Sequence, residues 1–246
     1  MANVYHDLGR DRAVKVRHLF NAIAPRYDLI NDVQSLGLHR LWKRRLVALS
    51  GLRRDDRALD LCCGTGDIAA ALASRGARVA AVDFSLPMIE RAWTRGGQKG
   101  QPVLFIQGDA LRIPFPDNSF DAVTMSYGLR NLADFEQGVR EMWRVARPGG
   151  RLLILDFGKP ERPLWRYLYF GYLRFFVPMF GWVFGGNAQA YAYILESLRH
   201  YPAPSGVADW LTACACVQVR IIRFLGGVMT IHYGEKPRSG SILGKT

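Results

Sequence analysis

Residues 57–69, which read RALDLCCGTGDIA, decide the class of fold. Residues 57–61 form a short apolar run typical of a buried strand, and 67–74 has the apolar spacing of a helix. A glycine-rich turn joins the two, so a ligand of the nucleotide type can approach the backbone closely. The stretch therefore predicts the first strand, turn and helix of a nucleotide-binding α/β sheet.

Strand and helix patterns alternate through the rest of the chain. Further strands are predicted at 78–82, 103–107, 120–125 and 151–156, with helices at 87–95 and 135–146, the latter closed by Arg147-Pro148-Gly149-Gly150. Two last strands, 217–224 and 228–234, are joined at Gly226-Gly227 as an antiparallel hairpin. The alternation predicts a doubly wound, Rossmann-like α/β sheet of seven strands, the last antiparallel.

Helical patterns also flank the alternating part. Residues 11–24 and 35–50 have helical spacing and basic outer faces, and 188–198 and 206–213 are predicted helices. The segment 164–184 contains ten aromatic residues, but Arg166, Arg174 and Pro178 interrupt it. Spanning a bilayer needs about 20 uninterrupted apolar residues, so we expect this segment to lie on or in something apolar.

Composition limits the classes of protein. The chain has 246 residues, 49% of them hydrophobic, which is enough for a sizeable core and excludes disorder. Its net charge of +12 favours an anionic partner: nucleic acid, phosphate or an acidic membrane surface. Four cysteines are too few for a disulfide scaffold, no His/Cys cluster predicts a metal site, and the charged N-terminus lacks a signal-peptide core. We expect a cytoplasmic protein without a metal.

Two cofactors fit the glycine-rich turn. Gly64-x-Gly66-x-x-Ala69, followed by Asp83, also matches a dinucleotide fingerprint. Asp67 favours the alternative, because it places a carboxylate at the helix N-terminus where a pyrophosphate would lie. S-adenosylmethionine carries no phosphate, and its sulfonium and ammonium groups attract carboxylates.

An S-adenosylmethionine site assigns a role to each acid. Asp60 and Asp67 would face the two cations, Asp83 the ribose hydroxyls and Asp109 the adenine amino group. Ordinary helix capping and strand-end turns are the alternative reading of the same acids. The predicted binding residues are Asp60, Gly64, Thr65, Gly66, Asp67, Asp83, Phe84, Met88, Asp109, Ala110, Leu111 and Ser126.

Several longer motifs point to one family. They are Tyr27-Asp28-x-x-Asn31 with His39-x-x-Trp42-Lys43, Phe115-Pro116-Asp117-x-x-Phe120-Asp121, Ser126-Tyr127-Gly128-Leu129-Arg130-Asn131 and Arg144-Val145-x-x-Pro148-Gly149-Gly150. In these motifs the chain resembles the UbiE/MenG family, the C-methyltransferases of ubiquinone and menaquinone biosynthesis. The resemblance implies a class I methyltransferase that uses S-adenosylmethionine, with Thr65, Asp83, Asp109, Ala110 and Ser126 as binding positions. It implies a prenylated quinol as the methyl acceptor, with conversion of demethylmenaquinol to menaquinol as the first choice.

Ring-carbon methylation needs an electron-rich carbon aimed at the sulfonium methyl, and a base or cation that favours the phenolate. The loop after the fourth strand nominates Arg130 as phenolate stabiliser and Asn131 as positioner. Arg130 could instead tie this loop to Asp134. His39 and Tyr191 are further candidates for the base or for ring contact.

Two other functions compete. The charge would suit an RNA or DNA methyltransferase, but Ser126-Tyr127-Gly128-Leu129 lacks the Asx-Pro-Pro-aromatic loop of amino-group methylases. A methyltransferase for another small molecule is a further alternative. A ligand-binding module without catalysis is the third reading, which an apparently complete donor site disfavours.

The whole chain is expected to be one methyltransferase domain, 1–246. It would comprise an N-terminal helical cap at 1–50, a cofactor-binding core at 57–158, an aromatic lid at 159–205, and a helix with the strand hairpin at 206–236. The lid would cover the quinol and its tail, and the basic helices would contact anionic lipid on the inner face of the cytoplasmic membrane. No nucleic-acid partner is expected, and a homodimer is left open.

Overall fold

A seven-stranded sheet forms the centre of the protein. The computed structural model describes residues 16, 18, 20, 21, 24, 31, 32, 35–98, 103–184, 197, 198 and 201–238, with the backbone alone for 176–184. The strands are β1 Arg57–Leu61, β2 Arg78–Asp83, β3 Val103–Gln107, β4 Phe120–Ser126, β5 Ala146–Phe157, β6 Val217–Phe224 and β7 Met229–Glu235. Their order in the sheet is β3-β2-β1-β4-β5-β7-β6.

The first five strands are parallel, and β7 runs antiparallel to both of its neighbours. The predicted sheet with an antiparallel last strand is therefore confirmed. Because the parallel strands share one direction, their carboxyl ends meet along one edge. The strand order reverses between β1 and β4, and a crevice opens at such a switch point.

Six helices pack around the sheet within the described residues. They are α1 Leu38–Ser50, α2 Asp67–Ala73, α3 Leu86–Gln98, α4 Phe135–Val145, α5 Pro163–Phe184 and α6 Pro204–Ala213, with short 3₁₀ turns at Leu129–Asn131 and Leu225–Gly227. Helix α2 begins directly after Gly66, whose φ of 82° is readily adopted only by glycine. Asp134 caps α4, because its side chain accepts the backbone N–H of Gln137 at 2.8 Å.

Apolar residues alternate between the two faces of the sheet, as the strand period of two requires. On β1, Leu59 and Leu61 belong to the core on one face, while Ala58 belongs to the core on the other. Both faces are covered by helices, which explains why the central strands are almost continuously apolar.

The predicted start of the fifth strand was wrong. The stretch 147–150 was predicted to close a helix, yet β5 already begins at Ala146. The pairing partner of β4 jumps from Ala146 to Arg151, so the intervening residues form a bulge within the strand. Gly150 makes the bulge possible, since a Cβ there would lie 2.8 Å from the Arg147 carbonyl oxygen.

The aromatic segment is a single helix, α5, which runs through Pro178. In the described part of the chain, no helix is long and apolar enough to cross a membrane. Most of the predicted helix 11–24, and nearly all of 188–198, lie outside the described residues.

Candidate functional site

A first cavity lies at the carboxyl ends of β1 and β4, where the strand order reverses. Predicted binding residues converge on it: Gly64, Asp83, Phe84, Met88, Asp109, Ala110, Leu111 and Ser126, together with Asn131. These residues come from separate strand ends and loops and, for Met88, from helix α3, and the fold of the sheet brings them together.

Asp83 enters this first cavity with part of its hydrogen-bonding capacity unused. Its Oδ2 accepts the backbone N–H of Gly64 and its Oδ1 that of Ser85, each at 2.8 Å. The backbone N–H of Phe84 also acts on this carboxylate, but a carboxylate offers about four lone-pair sites, so part of its capacity remains for a ligand hydroxyl. Burial raises the pKa of Asp83, although the N–H groups of Ser85 and Gly64 act against this shift.

The other polar groups of the first cavity suit a nucleoside with a charged tail. Asp109 follows β3 and fixes its turn by accepting the Leu111 N–H at 2.8 Å. The Oγ of Ser126 is buried and has no hydrogen-bond partner among the described residues. Met88 and Ala110 add buried apolar walls. Carboxylates, an unsatisfied hydroxyl and apolar walls fit the ribose, the amino acid portion and the adenine of S-adenosylmethionine.

Asp60, Thr65, Gly66 and Asp67 do not line this cavity. Asp60 is 1% exposed, and its Oδ1 accepts the Thr124 hydroxyl of β4 at 2.8 Å. Burial raises the pKa of Asp60 to about 7, although the Thr124 hydrogen bond opposes the shift. In this structure Asp60 links β1 to β4, and its predicted contact with the cofactor stays a prediction.

Asp67 is occupied by two cations of the protein itself. Its Oδ2 pairs with the Lys43 ammonium at 3.0 Å and its Oδ1 with the Arg95 guanidinium at 2.8 Å. Burial disfavours the charged carboxylate, but Lys43 and Arg95 outweigh it and lower the pKa of Asp67. The carboxylate that was assigned to the cofactor's cations is thus already neutralised, so its role there is also still a prediction.

A second cavity of about 450 Å³ adjoins the first. It lies between α1, the loop after β4, helix α5 and the turn at Leu225–Gly227, and Tyr127 lines both cavities. Most of its lining is apolar or aromatic: Leu36, Leu38, Trp42, Tyr127, Phe157, Trp165, Leu168, Tyr169, Tyr172, Leu173, Leu225 and Val228, with the polar residues Asn31, Ser35 and His39. Part of the predicted aromatic segment therefore forms a wall of this cavity.

Three buried polar atoms interrupt the apolar lining of the second cavity. They are Nδ2 of Asn31, Nδ1 of His39 and the hydroxyl oxygen of Tyr169, and none has a hydrogen-bond partner among the described residues. Burial raises the pKa of Tyr169, so its hydroxyl remains protonated and can donate. Buried polar groups are normally hydrogen-bonded, so these three atoms indicate a ligand with polar groups on an apolar frame.

His39 has the environment of a neutral base. Its Nε2 lies 3.2 Å from Oδ1 of Asp32, so this nitrogen carries the proton and Nδ1 keeps its lone pair. Burial, assisted by the Lys43 ammonium, lowers the pKa of His39, although Asp32 acts in the opposite direction. The imidazole is 4% exposed and lines the second cavity.

The structure places Arg130 away from both cavity linings. Its Nη1 pairs with Oδ1 of Asp156 at 2.5 Å and donates to the Tyr127 carbonyl at 3.0 Å. Asn131 also donates to this carbonyl, at 2.9 Å, and reaches the first cavity. The predicted tie of the loop therefore exists, but to Asp156 rather than to Asp134. The fourth candidate, Tyr191, lies outside the described residues.

Several lining residues escaped the sequence interpretation. Tyr127 has a φ of 59°, a left-handed conformation that is rare for a tyrosine and that turns the chain between the two cavities. Val16 and Phe20 bring the N-terminal segment to the first cavity. Asn31 belonged to a family motif without an assigned role, and Tyr169 was one aromatic residue among ten.

The sheet order, the antiparallel β7 and a cavity at the switch point define the class I S-adenosylmethionine-dependent methyltransferases. A SAM-dependent methyltransferase from Aquifex aeolicus has this fold: its structure matches with a TM-score of 0.56 at 20% identity, covering 91% of this chain and 97% of that one. The chain belongs to the ubiE/COQ5 methyltransferase family, whose sequence profile matches residues 8–236.

Curated relatives agree with this assignment. The chain is 40% identical to a demethylmenaquinone methyltransferase of Thermus thermophilus, over 89% of this chain and 100% of the relative. It is 39% identical to the ubiquinone/menaquinone biosynthesis C-methyltransferase UbiE of Azotobacter vinelandii, over 92% of this chain and 91% of that protein. The predictions of the family, of a methyltransferase and of S-adenosylmethionine as co-substrate are confirmed.

Proposed function

We propose that this methyltransferase transfers a methyl group to a ring carbon of a prenylated quinol, and that the acceptor is demethylmenaquinol. The second cavity carries the proposal, because its aromatic lining beside the donor site contains three buried polar atoms that have no hydrogen-bond partner in the part of the chain that the structure describes. A quinol has the matching chemistry: two hydroxyls on a flat apolar ring. Its isoprenoid tail would gain about 0.8 kcal/mol for each CH₂ that leaves water.

The first cavity holds the methyl donor in this proposal. The free lone pairs of Asp83 accept the ribose hydroxyls, and Asp109 faces the adenine amino group. The buried hydroxyl of Ser126 forms a hydrogen bond with the amino acid portion of the donor. When bound, S-adenosylmethionine supplies an electrophilic methyl group attached to a sulfonium, and the sulfur compound that remains after transfer is a neutral thioether.

His39 is the base. Its Nδ1 takes the proton from a quinol hydroxyl, which raises the electron density at the neighbouring ring carbon, while Asp32 stabilises the imidazolium. The carbon attacks the methyl and the C–S bond breaks. The His39 imidazolium then returns its proton to the ring oxygen, and the ring carbon releases its own proton to solvent, which restores the aromatic ring. Tyr127 lines both cavities, and Arg130 with Asn131 fixes its carbonyl. Most of the rate enhancement then comes from orientation.

The test of the function compares three acceptors with a donor labelled in its methyl group. Demethylmenaquinol, a demethylated benzoquinol and bulk RNA are each incubated with the enzyme under reducing conditions. We expect label in demethylmenaquinol above all. Label in RNA alone would refute the proposal, and a faster reaction with the benzoquinol would change the assigned acceptor.

The oxidation state of the acceptor gives a second test. A quinone lacks the hydroxyl that feeds electrons into the ring, so no methyl transfer is expected without a reductant. Methylation of the oxidised acceptor at a comparable rate would contradict the mechanism.

Contact with the inner face of the cytoplasmic membrane forms part of the proposal. Leu164, Tyr167 and Leu168 are 72%, 77% and 52% exposed on α5 beside the second cavity, and Leu168 lines its mouth. The exposed Arg162 and Arg166 flank them and match anionic lipid. The quinol tail would then pass from the bilayer into the cavity over this apolar surface.

Vesicle sedimentation tests this contact with a matched pair of variants. Leu168→Glu should weaken binding to anionic vesicles at least about tenfold, because a leucine gains about 1.5–3 kcal/mol on burial. Leu104→Glu changes a residue of similar exposure, 58%, on β3, and should bind as the wild type does. Equal binding of both variants would refute the proposed membrane contact of α5.

Light scattering in the same buffer decides between a monomer and the homodimer that the sequence left open.

A further inference from the structure

Helix α1 contributes to both sides of the reaction. His39 lies on α1 and lines the second cavity, and Lys43 follows one helical turn later. Residues four apart lie on the same helix face, so both side chains point toward the sheet edge that carries the two cavities. Trp42 and Lys43 belong to the same sequence motif as His39, but the proposed mechanism gives neither of them a role.

Lys43 connects this helix to the glycine-rich turn. Its ammonium is 3.0 Å from Oδ2 of Asp67, the first residue of α2 and the next one after Gly66. The Lys43 side chain is only 14% exposed, so solvent weakens this ion pair less than it would at the surface. The same ammonium lies 6.0 Å from the ring centroid of Tyr127, which lines both cavities.

Asp67 has a second cation that does not belong to α1. Arg95 of α3 pairs with the other carboxylate oxygen at 2.8 Å. The two cations therefore share one carboxylate, but only Lys43 joins it to the helix that carries His39. Removing either cation therefore leaves Asp67 with one cation fewer, but only the removal of Lys43 breaks the connection between α2 and α1.

We propose that the Lys43–Asp67 ion pair couples the two cavities, so that a donor bound at the glycine-rich turn raises the affinity of the second cavity for the quinol. The inference rests on the proposed function, since it concerns the same acceptor. A ligand in the first cavity restricts the motion of the turn before α2 and of Tyr127. The ion pair extends this restriction to α1. The second ligand then loses less conformational entropy when it binds, so its affinity is higher.

Coupling between binding sites is measured as a ratio of affinities. S-adenosylhomocysteine serves as an unreactive donor analogue, and a short-tailed prenylated naphthalenediol, kept reduced, serves as the acceptor. Trp42 and Trp165 line the second cavity, so tryptophan fluorescence of the full chain reports its occupancy. We expect the analogue to tighten acceptor binding at least about 5-fold, the lower end of ordinary coupling.

Three variants distinguish the effect of the Lys43–Asp67 ion pair from the effect of removing a positive charge next to Asp67. Lys43→Met should bring the affinity ratio to about 1, and Lys43→Arg should restore it because the ion pair can reform. Arg95→Met removes the other cation of Asp67 and should keep the ratio. A merely structural role of Lys43 would weaken both binding steps and leave the ratio unchanged.

The outcomes are distinct from those of the function test. A Lys43→Met protein with the wild-type ratio, an equal loss of coupling in Arg95→Met, or a wild type without coupling overturns the inference. If the wild type does not bind the naphthalenediol at all, the proposed function fails instead. Should Lys43→Met not fold, Asp67→Asn breaks the same pair from its other end and must give the same loss.

Discussion

The imidazole of His39 shows how a single residue acquires a chemical role from its surroundings. Burial lowers its pKa and keeps it neutral, Asp32 fixes the proton on Nε2, and Nδ1 faces the apolar cavity with no hydrogen-bond partner among the residues described. Each of these conditions is absent for a histidine on a solvent-exposed helix. The same three conditions make His39 sensitive to conservative substitution.

Replacing His39 by Gln should lower kcat by about 10²–10⁴, the usual contribution of a general base. The affinity for S-adenosylhomocysteine should stay within about threefold, because His39 does not line the first cavity. Because the lowered pKa of His39 keeps the base neutral in mild acid, the acid limb of kcat should lie below pH about 6.5. Steady-state kinetics across pH check both statements; an unchanged kcat would remove His39 from the reaction.

Gly128 lies where two strand-end turns touch. A Cβ on it would be 2.6 Å from Cβ and 2.7 Å from Sγ of Cys62, so Gly128→Ala should cost about 1–3 kcal/mol of stability and distort the donor site. Cys62 itself has a φ of 51°, a conformation that glycine adopts without strain. We therefore expect Cys62→Gly to rescue Gly128→Ala in urea unfolding and in donor binding. Additive losses in the double variant would contradict this contact.

Among the elements, the short turn after β4 depends most on a single buried ion pair. Arg130 and Asp156 have side chains 6% and 0% exposed, and Asp156 also accepts the Arg130 backbone N–H at 3.1 Å. The pair joins the turn Leu129–Asn131 to the end of β5. Because the carbonyl of Tyr127 accepts from Arg130, the turn also fixes the residue that lines both cavities.

Arg130→Met should lower the free energy of unfolding by about 3–5 kcal/mol, because it leaves the Asp156 carboxylate buried without its cation. Adding Asp156→Asn removes this charge while keeping an acceptor for the backbone, and should recover part of the loss. The kcat of the double variant should remain below that of the wild type even where its donor affinity has recovered, because the Tyr127 carbonyl has lost its hydrogen bond from Arg130. Urea titrations with the rate and the donor affinity measured in parallel check this; two fully additive losses would contradict it.

The strands and the first cavity could be predicted because both follow from local pattern. Alternating apolar runs set the strands, and a parallel sheet then collects the strand ends. The partners of Asp67 could not be predicted, because Lys43 and Arg95 are 24 and 28 residues away and come from two different helices. The left-handed turn at Tyr127 could not be predicted either, because tyrosine gives no local signal for it.

At the scale of the whole molecule, acid should act on the sheet as well as on the site. His232 of β7 is fully buried and contacts the Pro204 carbonyl through Nε2 at 2.9 Å. Burial lowers its pKa to about 4, although the Pro204 contact opposes the shift. The unfolded chain therefore binds a proton between pH 6.5 and 4 that the folded protein does not.

The contribution of His232 to stability should accordingly fall by roughly 3 kcal/mol as the pH drops from 6.5 to 4. His39 acts in the same direction because its pKa is also lowered in the folded state, whereas Asp60, whose pKa burial raises to about 7, acts in the opposite direction. His232→Gln keeps a donor for the Pro204 carbonyl but cannot titrate. The slope of its unfolding free energy against pH should therefore differ from that of the wild type by the equivalent of about one bound proton. Urea unfolding at several pH values measures this slope, and identical slopes for the two proteins would refute the prediction.

The position of Tyr127 in the lining of both cavities has a pharmacological consequence. Two ligands that meet beside one side chain can be joined by a very short linker, and linking turns the second binding event into an intramolecular one. An adenosyl group tethered to a naphthol would then bind far more tightly than either fragment alone. Because one half of such an inhibitor must fit the aromatic second cavity, it would discriminate against the many methyltransferases that share only the donor site.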